Sequence, residues 1–158
     1  MQKRTWKAYA GWILFAEPVG ALSGWLTREG TQIYKEEVVK PPLSPPSIVF
    51  PIVWALLFAL MGIGAARVCG TPASRGRSRS MAAFLVQLLF NFFWSILFFN
   101  LRSYGLAFFW LVVLWGLILW MILSFRRVDP LAAWLQVPYL LWVAFAGYLN
   151  LGVWLLNR

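Results

Sequence analysis

The sequence predicts an all-α integral membrane protein, a bundle of five transmembrane helices. Three observations carry that prediction. Of the 158 residues, 61% are hydrophobic and only 12% are charged, with a mean hydropathy of +0.72. A soluble domain carries about 25% charge, and a chain of this size has too little interior to hide so much apolar surface, so lipid is its main solvent. The apolar residues also gather into five runs, at 8–26, 48–68, 81–100, 105–125 and 131–156. Each run is close to the roughly 20 residues that a spanning helix needs. The runs are continuous and lack the two-residue alternation of a membrane strand, which selects helices over a barrel.

The same numbers exclude other classes. A soluble enzyme, a disordered chain and a collagen-like chain are ruled out by composition. One cysteine, Cys69, and no histidine leave no Cys/His metal domain and no internal disulfide. The net charge of +9 would point to nucleic acid in a soluble protein. Here the cations lie between apolar runs, so membrane topology and anionic headgroups explain them and no nucleic-acid partner is expected. No hydrophilic stretch is long enough for a second domain, so 1–158 is a single transmembrane domain.

The first run follows Lys3, Arg4 and Lys7 and contains Ala21-Leu22-Ser23, features shared with a cleavable signal peptide. Glu17-Pro18 interrupts the run and favours a retained span. Glu17 is the one acid inside a run, and it has two readings. It either lines or gates a cavity, or sits protonated against backbone carbonyls freed by Pro18. The connection 27–47 is the only long one. Its stretch Lys40-Pro41-Pro42-Leu43-Ser44-Pro45-Pro46 is stiff, because proline fixes φ and biases its predecessor to extended backbone. It serves either as a rigid connector or as a lid.

The second run sets Phe50, Val53, Trp54, Leu57, Phe58 and Met61 on one helical stripe. The connection 74–80 reads as a Ser/Arg loop, and the third run then aligns Gln87, Asn91, Trp94 and Phe98. Amides in hydrocarbon need partners, so Gln87 and Asn91 bond between helices, or Asn91 instead faces a cavity and meets a ligand. The fifth run places Pro138, Trp142, Ala146 and Asn150 four residues apart, near one face. Gly62 and Ala66 form a small-xxx-small pair, suited to a dimer contact or to packing within the bundle. Trp6, Trp25, Trp134 and Trp154 lie near the run ends, where interfacial belts form.

With five spans, Lys3, Arg4, Lys7, Arg67, Arg75, Arg77, Arg79, Arg126 and Arg127 share one side. Arg28, Lys35, Lys40, Arg102 and Arg158 share the other. The positive-inside rule then predicts a cytoplasmic N-terminus and an external C-terminus. With no targeting segment before the first run, the expected location is a bacterial cell membrane.

Three stretches carry a resemblance. They are Tyr34 with Lys40-Pro41, Pro45-Pro46 and Val49-Phe50-Pro51-Ile52-Val53-Trp54; then Gln87-Leu88, Asn91, Trp94 and Phe98-Phe99; then Pro138-Tyr139, Trp142, Ala144-Phe145-Ala146 and Leu149-Asn150. In this order and spacing the chain closely resembles the TspO/MBR family, the tryptophan-rich sensory proteins related to the mitochondrial translocator protein. The resemblance implies a five-helix bundle, commonly a homodimer, with a cavity beneath the first loop that takes tetrapyrroles such as protoporphyrin IX and haem. It implies a receptor or sensor that transports or scavenges its ligand, with light-dependent porphyrin breakdown as an alternative; a transporter with Glu17 as gating or proton-linked group is a further alternative, from the reading of that acid above. Carried over residue by residue, the ligand-binding set is Tyr34, Phe50, Trp54, Phe58, Asn91, Trp94, Trp142, Phe145, Ala146 and Asn150, with a lid built on Pro41, Pro45 and Pro46. Trp54 and Trp142 are the photochemical candidates.

The chain departs from the family at Leu43 and Ile48, where aromatic residues are usual, which takes stacking surface from the expected mouth. The basic residue of the animal cholesterol pattern is missing after Tyr148, so specific cholesterol binding is not predicted. No cofactor is obligatory, no metal site is predicted, and porphyrin or haem enters as ligand. Without histidine, the usual axial group, haem would be held by stacking. No nucleophile–base pair or acid–base pair stands out, which disfavours hydrolytic or transferase chemistry.

Overall fold

A computed structural model describes residues 6–158, so Lys3 and Arg4 lie outside the described residues. The elements are α1 (Trp6–Leu26), α2 (Arg28–Glu37), α3 (Val49–Cys69), α4 (Arg75–Ser95), α5 (Tyr104–Val128), α6 (Pro130–Trp134) and α7 (Val137–Leu156). α4 runs on directly into a π-helical segment, Ile96–Asn100.

Among the described residues, four helical stretches are long and apolar enough to cross a membrane: Val49–Cys69, Arg75–Asn100, Tyr104–Val128 and Pro130–Leu156. They correspond to the four later runs. α1 has the length, at 21 residues, but is not among them, diluted by Glu17, Pro18 and three glycines. Large apolar side chains such as Leu89, Phe109, Val112 and Leu141 are exposed on the outside of the spans, as lipid contact requires. Trp6, Trp25 and Trp134 are exposed at helix ends, while Trp154 instead packs its ring against Gly105 and Phe108.

α5 packs against α4, α6 and α7, and α1 lies on α3. The core is a continuous cluster that includes Met61, Phe84, Ile118, Met121, Phe125, Tyr139 and Val143. Gly62 sets the distance between α1 and α3, because a Cβ there would stand 2.7 Å from the Ile13 Cα. The Gly62/Ala66 pair therefore serves packing inside the bundle rather than an open face.

Three boundaries differ from the sequence reading, each for a local reason. The connection 27–47 holds the ten-residue helix α2, too polar and short to register as a span. Most of 74–80 is helix, not loop, because Ser74 caps α4 by accepting from the Arg77 amide at 3.0 Å. The fifth run breaks at Leu135–Gln136, where Pro138 ends the preceding register. The Gln136 side chain covers the break, donating to the Leu60 carbonyl at 2.9 Å and the Ala132 carbonyl at 3.4 Å. At the same end Asp129 caps α6 through the Leu131 amide, and pairs with Arg67 at 3.0 Å to fasten α3.

Candidate functional site

A cavity of about 1040 Å³ runs between α1, α2, α3, α4 and α7. Helical spacing builds its walls. α3 supplies Phe50, Trp54 and Phe58, four residues apart; α4 supplies Asn91 and Trp94, and the π-helical segment after it Phe98; α7 supplies Trp142, Ala146, Leu149 and Asn150. α1 turns Glu17, Gly20, Ser23 and Gly24 toward it, and α2 adds Tyr34. Gly20 lets Phe58 lie flush on α1, since a Cβ there would meet the ring edge at 2.5 Å.

The aromatic walls are held in place by one another. Trp94 stacks on Phe98 with centroids 5.2 Å apart, Phe50 meets Trp142 edge-on at 5.9 Å, and Trp54 contacts both Phe58 and Tyr139. Polar groups fix the floor. Asn91 Nδ2 donates to the Tyr139 hydroxyl at 2.7 Å, and that hydroxyl donates to Gln87 Oε1 at 2.7 Å. Trp94 Nε1 donates to Asn150 Oδ1 at 3.0 Å, and Asn150 Nδ2 donates to the Tyr104 carbonyl at 2.8 Å. Bonding between helices is thus met by both Gln87 and Asn91. Asn91 also borders the cavity, and its carbonyl oxygen takes no donor among the described residues. The Asn91 carbonyl oxygen is thus an acceptor left over at the cavity wall. The Trp142 indole N–H is buried without a hydrogen-bond partner among the described residues.

Of the ten residues the sequence singled out, nine border this cavity: Tyr34, Phe50, Trp54, Phe58, Asn91, Trp94, Trp142, Ala146 and Asn150. Phe145 does not. It lies in a separate groove of about 540 Å³ between α3 and α7, beside Val53, Leu56, Leu60 and Leu141. Trp142 borders both spaces. Tyr139 was missed, although a hydroxyl within an apolar run was the available signal. Missed too were Arg28, Thr31, Gln32 and Lys35 on α2, whose i, i+3, i+4, i+7 spacing forms one face.

The proline segment lies at the α2 end. Only Pro45 of the three lid prolines borders the cavity. Pro41 is buried on α7, over Gly152, where a Cβ would stand 2.5 Å from the proline ring. Pro46 is exposed and faces away. Asn157 clasps the backbone of Val39, accepting from its amide at 3.0 Å and donating to its carbonyl at 2.7 Å. The Tyr148 hydroxyl donates to the Pro42 carbonyl at 2.6 Å. The lid is thus strapped to α7. Leu43, at φ 69° and 82% exposed, and Ile48, at 66%, lie outside the cavity lining, so neither change removes stacking surface from it. Tyr34 packs on Phe98 and Phe99 with the Lys40 ammonium 4.9 Å from its ring centre. Burial, with a smaller contribution from Tyr104, pushes its hydroxyl up to about 12.

A profile of the TspO/MBR family matches residues 9–155. This chain belongs to the TspO/MBR family. Among its relatives, the tryptophan-rich protein TspO of Chlorobaculum tepidum is 38% identical over 88% of this chain and 89% of its own length. Protein CrtK of Rhodobacter capsulatus is 37% identical over 77% of each chain. The translocator protein of Bos taurus is 31% identical over 97% of this chain and 92% of its own. Membership and the four apolar spans together make this an integral membrane protein. Within the family, the cavity unites the three stretches on which the resemblance rested: α3, α4 and α7 each contribute one wall.

Proposed function

We propose that this protein is a membrane receptor or sensor that binds a tetrapyrrole, protoporphyrin IX or haem, in the cavity beneath the strapped lid. The observation that carries the reading is a cavity of about 1040 Å³ with Trp54, Phe58, Trp94, Phe98 and Trp142 around it. Its size is at the upper end of small-molecule sites, about 300–1,000 Å³. A flat macrocycle presents a large π-face, and indole and phenyl rings pack on such a face by offset or edge contacts. The Asn91 carbonyl oxygen offers a polar contact that orients the guest, and Trp142 offers ring surface. With no histidine in the chain, haem is held by stacking rather than by an imidazole.

In this reading α1 is the fifth span. Its 21 residues rise about 32 Å, enough for a hydrocarbon core of about 30 Å, and Glu17 is tolerated because it faces the cavity. The arginines at the α5–α6 end face the cytoplasm, and the lid and C-terminus face outward. A homodimer uses a surface other than Gly62. Light-driven porphyrin breakdown is the second reading, favoured by Trp54 and Trp142 bordering the same space.

The test is a titration of detergent-solubilised protein with protoporphyrin IX, followed by tryptophan quenching. Saturable quenching that Trp142→Phe and Asn91→Ala both weaken supports the reading; quenching that never saturates overturns it. Illumination of the complex separates the second reading: bleaching as fast in Trp54→Phe and Trp142→Phe as in the parent eliminates it.

A further inference from the structure

The short helix α2 sorts its charges by face. Arg28, Thr31, Gln32 and Lys35 fall at i, i+3, i+4 and i+7, and all four border the cavity. The acids of the same helix lie elsewhere. Glu29, Glu36 and Glu37 are exposed and outside the cavity lining. Glu36 accepts from Gln32, and Glu37 approaches Arg102 at 3.9 Å. The lid adds a third cation, Lys40, half-buried and also on the lining.

None of Arg28, Lys35 and Lys40 has an ion pair among the described residues. Arg28 donates to the Trp25 carbonyl and lies over its ring; Lys40 donates to the carbonyls of Lys35 and Val38. Those contacts hold the side chains in place without neutralising them. The one acid on the cavity wall, Glu17, lies about 14 Å deeper along α1 than Leu26 by the helical rise of about 1.5 Å per residue. The cavity therefore has a cationic mouth and an aromatic interior. A cleft lined by one sign of charge over low-dielectric walls concentrates its field on a ligand of the opposite sign.

We propose that Arg28, Lys35 and Lys40 form a carboxylate-recognising rim, so that the ligand is an amphipathic acid whose carboxylates sit at the mouth while its apolar body enters the cavity. This rests on the tetrapyrrole reading and narrows it. It selects macrocycles that keep acidic side chains on one edge and disfavours their neutral esters and neutral sterols. It also fixes the orientation of the guest, acid edge toward α2 and ring system against Trp54, Trp94 and Trp142.

The experiment compares protoporphyrin IX with its dimethyl ester, which has the same macrocycle and no charge at the edge. Both are titrated against the detergent-solubilised parent, against Arg28→Gln, Lys35→Gln and Lys40→Gln, and against the triple variant, with thermal unfolding checked for each. The diacid is expected to bind the parent at least tenfold tighter than the ester. Each exposed cation removed, Arg28 or Lys35, weakens the diacid about two- to fivefold, the range for partly solvated charge pairs. The half-buried Lys40 costs more. The triple variant brings the diacid down to the ester and leaves the ester unchanged. Added salt weakens the diacid only. Equal, saturable binding of diacid and ester to the parent overturns the rim and leaves the cavity reading standing. So does an equal loss of both ligands in the triple variant. Failure of both ligands to bind the parent overturns the cavity reading itself.

Discussion

Tyr139 is wholly buried, and its hydroxyl is the hinge of the polar chain under the cavity. It accepts from Asn91 and donates to Gln87, both at 2.7 Å. Tyr139→Phe keeps the ring against Trp54 and removes both bonds. Hydrogen bonds between membrane helices average about 0.6 kcal/mol and reach about 1.7, so the two together set a loss between about 1 and 3.5 kcal/mol. Position within that range depends on what the orphaned atoms find. Asn91 borders the cavity and can turn to water there. Gln87 is fully buried, and its Oε1 has no second donor among the described residues, so it bears the full desolvation cost. We therefore expect a loss of about 2 kcal/mol in unfolding free energy. Reversible unfolding in mixed micelles measures it, with Tyr148→Phe as control, since that hydroxyl is exposed at the lid. A Tyr139→Phe protein as stable as the parent to within a few tenths of a kcal/mol would refute the argument that this chain holds α4 to α7.

Three further outcomes follow from the geometry. Gly62→Val forces α1 off α3, because the obstacle at 2.7 Å is Ile13 backbone rather than a movable side-chain tip; a loss of about 1–3 kcal/mol is expected in thermal unfolding, and an unchanged melting point contradicts the contact. Asn157→Ala removes both clasps on Val39, so chymotrypsin cuts after the exposed Leu43 faster and porphyrin exchanges faster, while global stability moves by less than about 1 kcal/mol; equal cleavage rates would mean the strap is not what holds the lid. The Tyr34 hydroxyl keeps its proton in the fold to about 12, whereas in the unfolded chain it ionises near its ordinary 10. Its contribution is complete below that lower value and is lost as pH rises through the window, so the parent's melting point falls more steeply above about pH 10 than that of Tyr34→Phe; parallel curves for the two proteins count against the burial of this group.

The spans and most of the cavity wall were legible in the sequence because both are periodic along one helix. Apolar runs are local, and residues four apart share a face whatever the neighbours do. Phe50, Trp54 and Phe58 on α3, and Trp142, Ala146 and Asn150 on α7, show this. Phe145 shows the limit. It lies three residues past Trp142, on the flank of the stripe, and only the rotation of α7 in the bundle decides that it leaves the cavity for the groove. Resemblance to a family placed it with the others, and packing moved it out.

The sequence by itself determined that this chain lives in lipid as a helical bundle, because composition and run length leave no alternative solvent for its side chains. It also determined which stripes of aromatic and amide residues were available to build a site. Only the tertiary structure decided what those stripes face. It spent Gly62 on the α1–α3 contact, joined Asn91 to Gln87 through Tyr139, strapped the lid to Asn157 and turned the basic face of α2 over the cavity. Each of these brings together segments far apart in the chain. The rotation and separation of helices depend on packing across the bundle, which no single helical stripe contains.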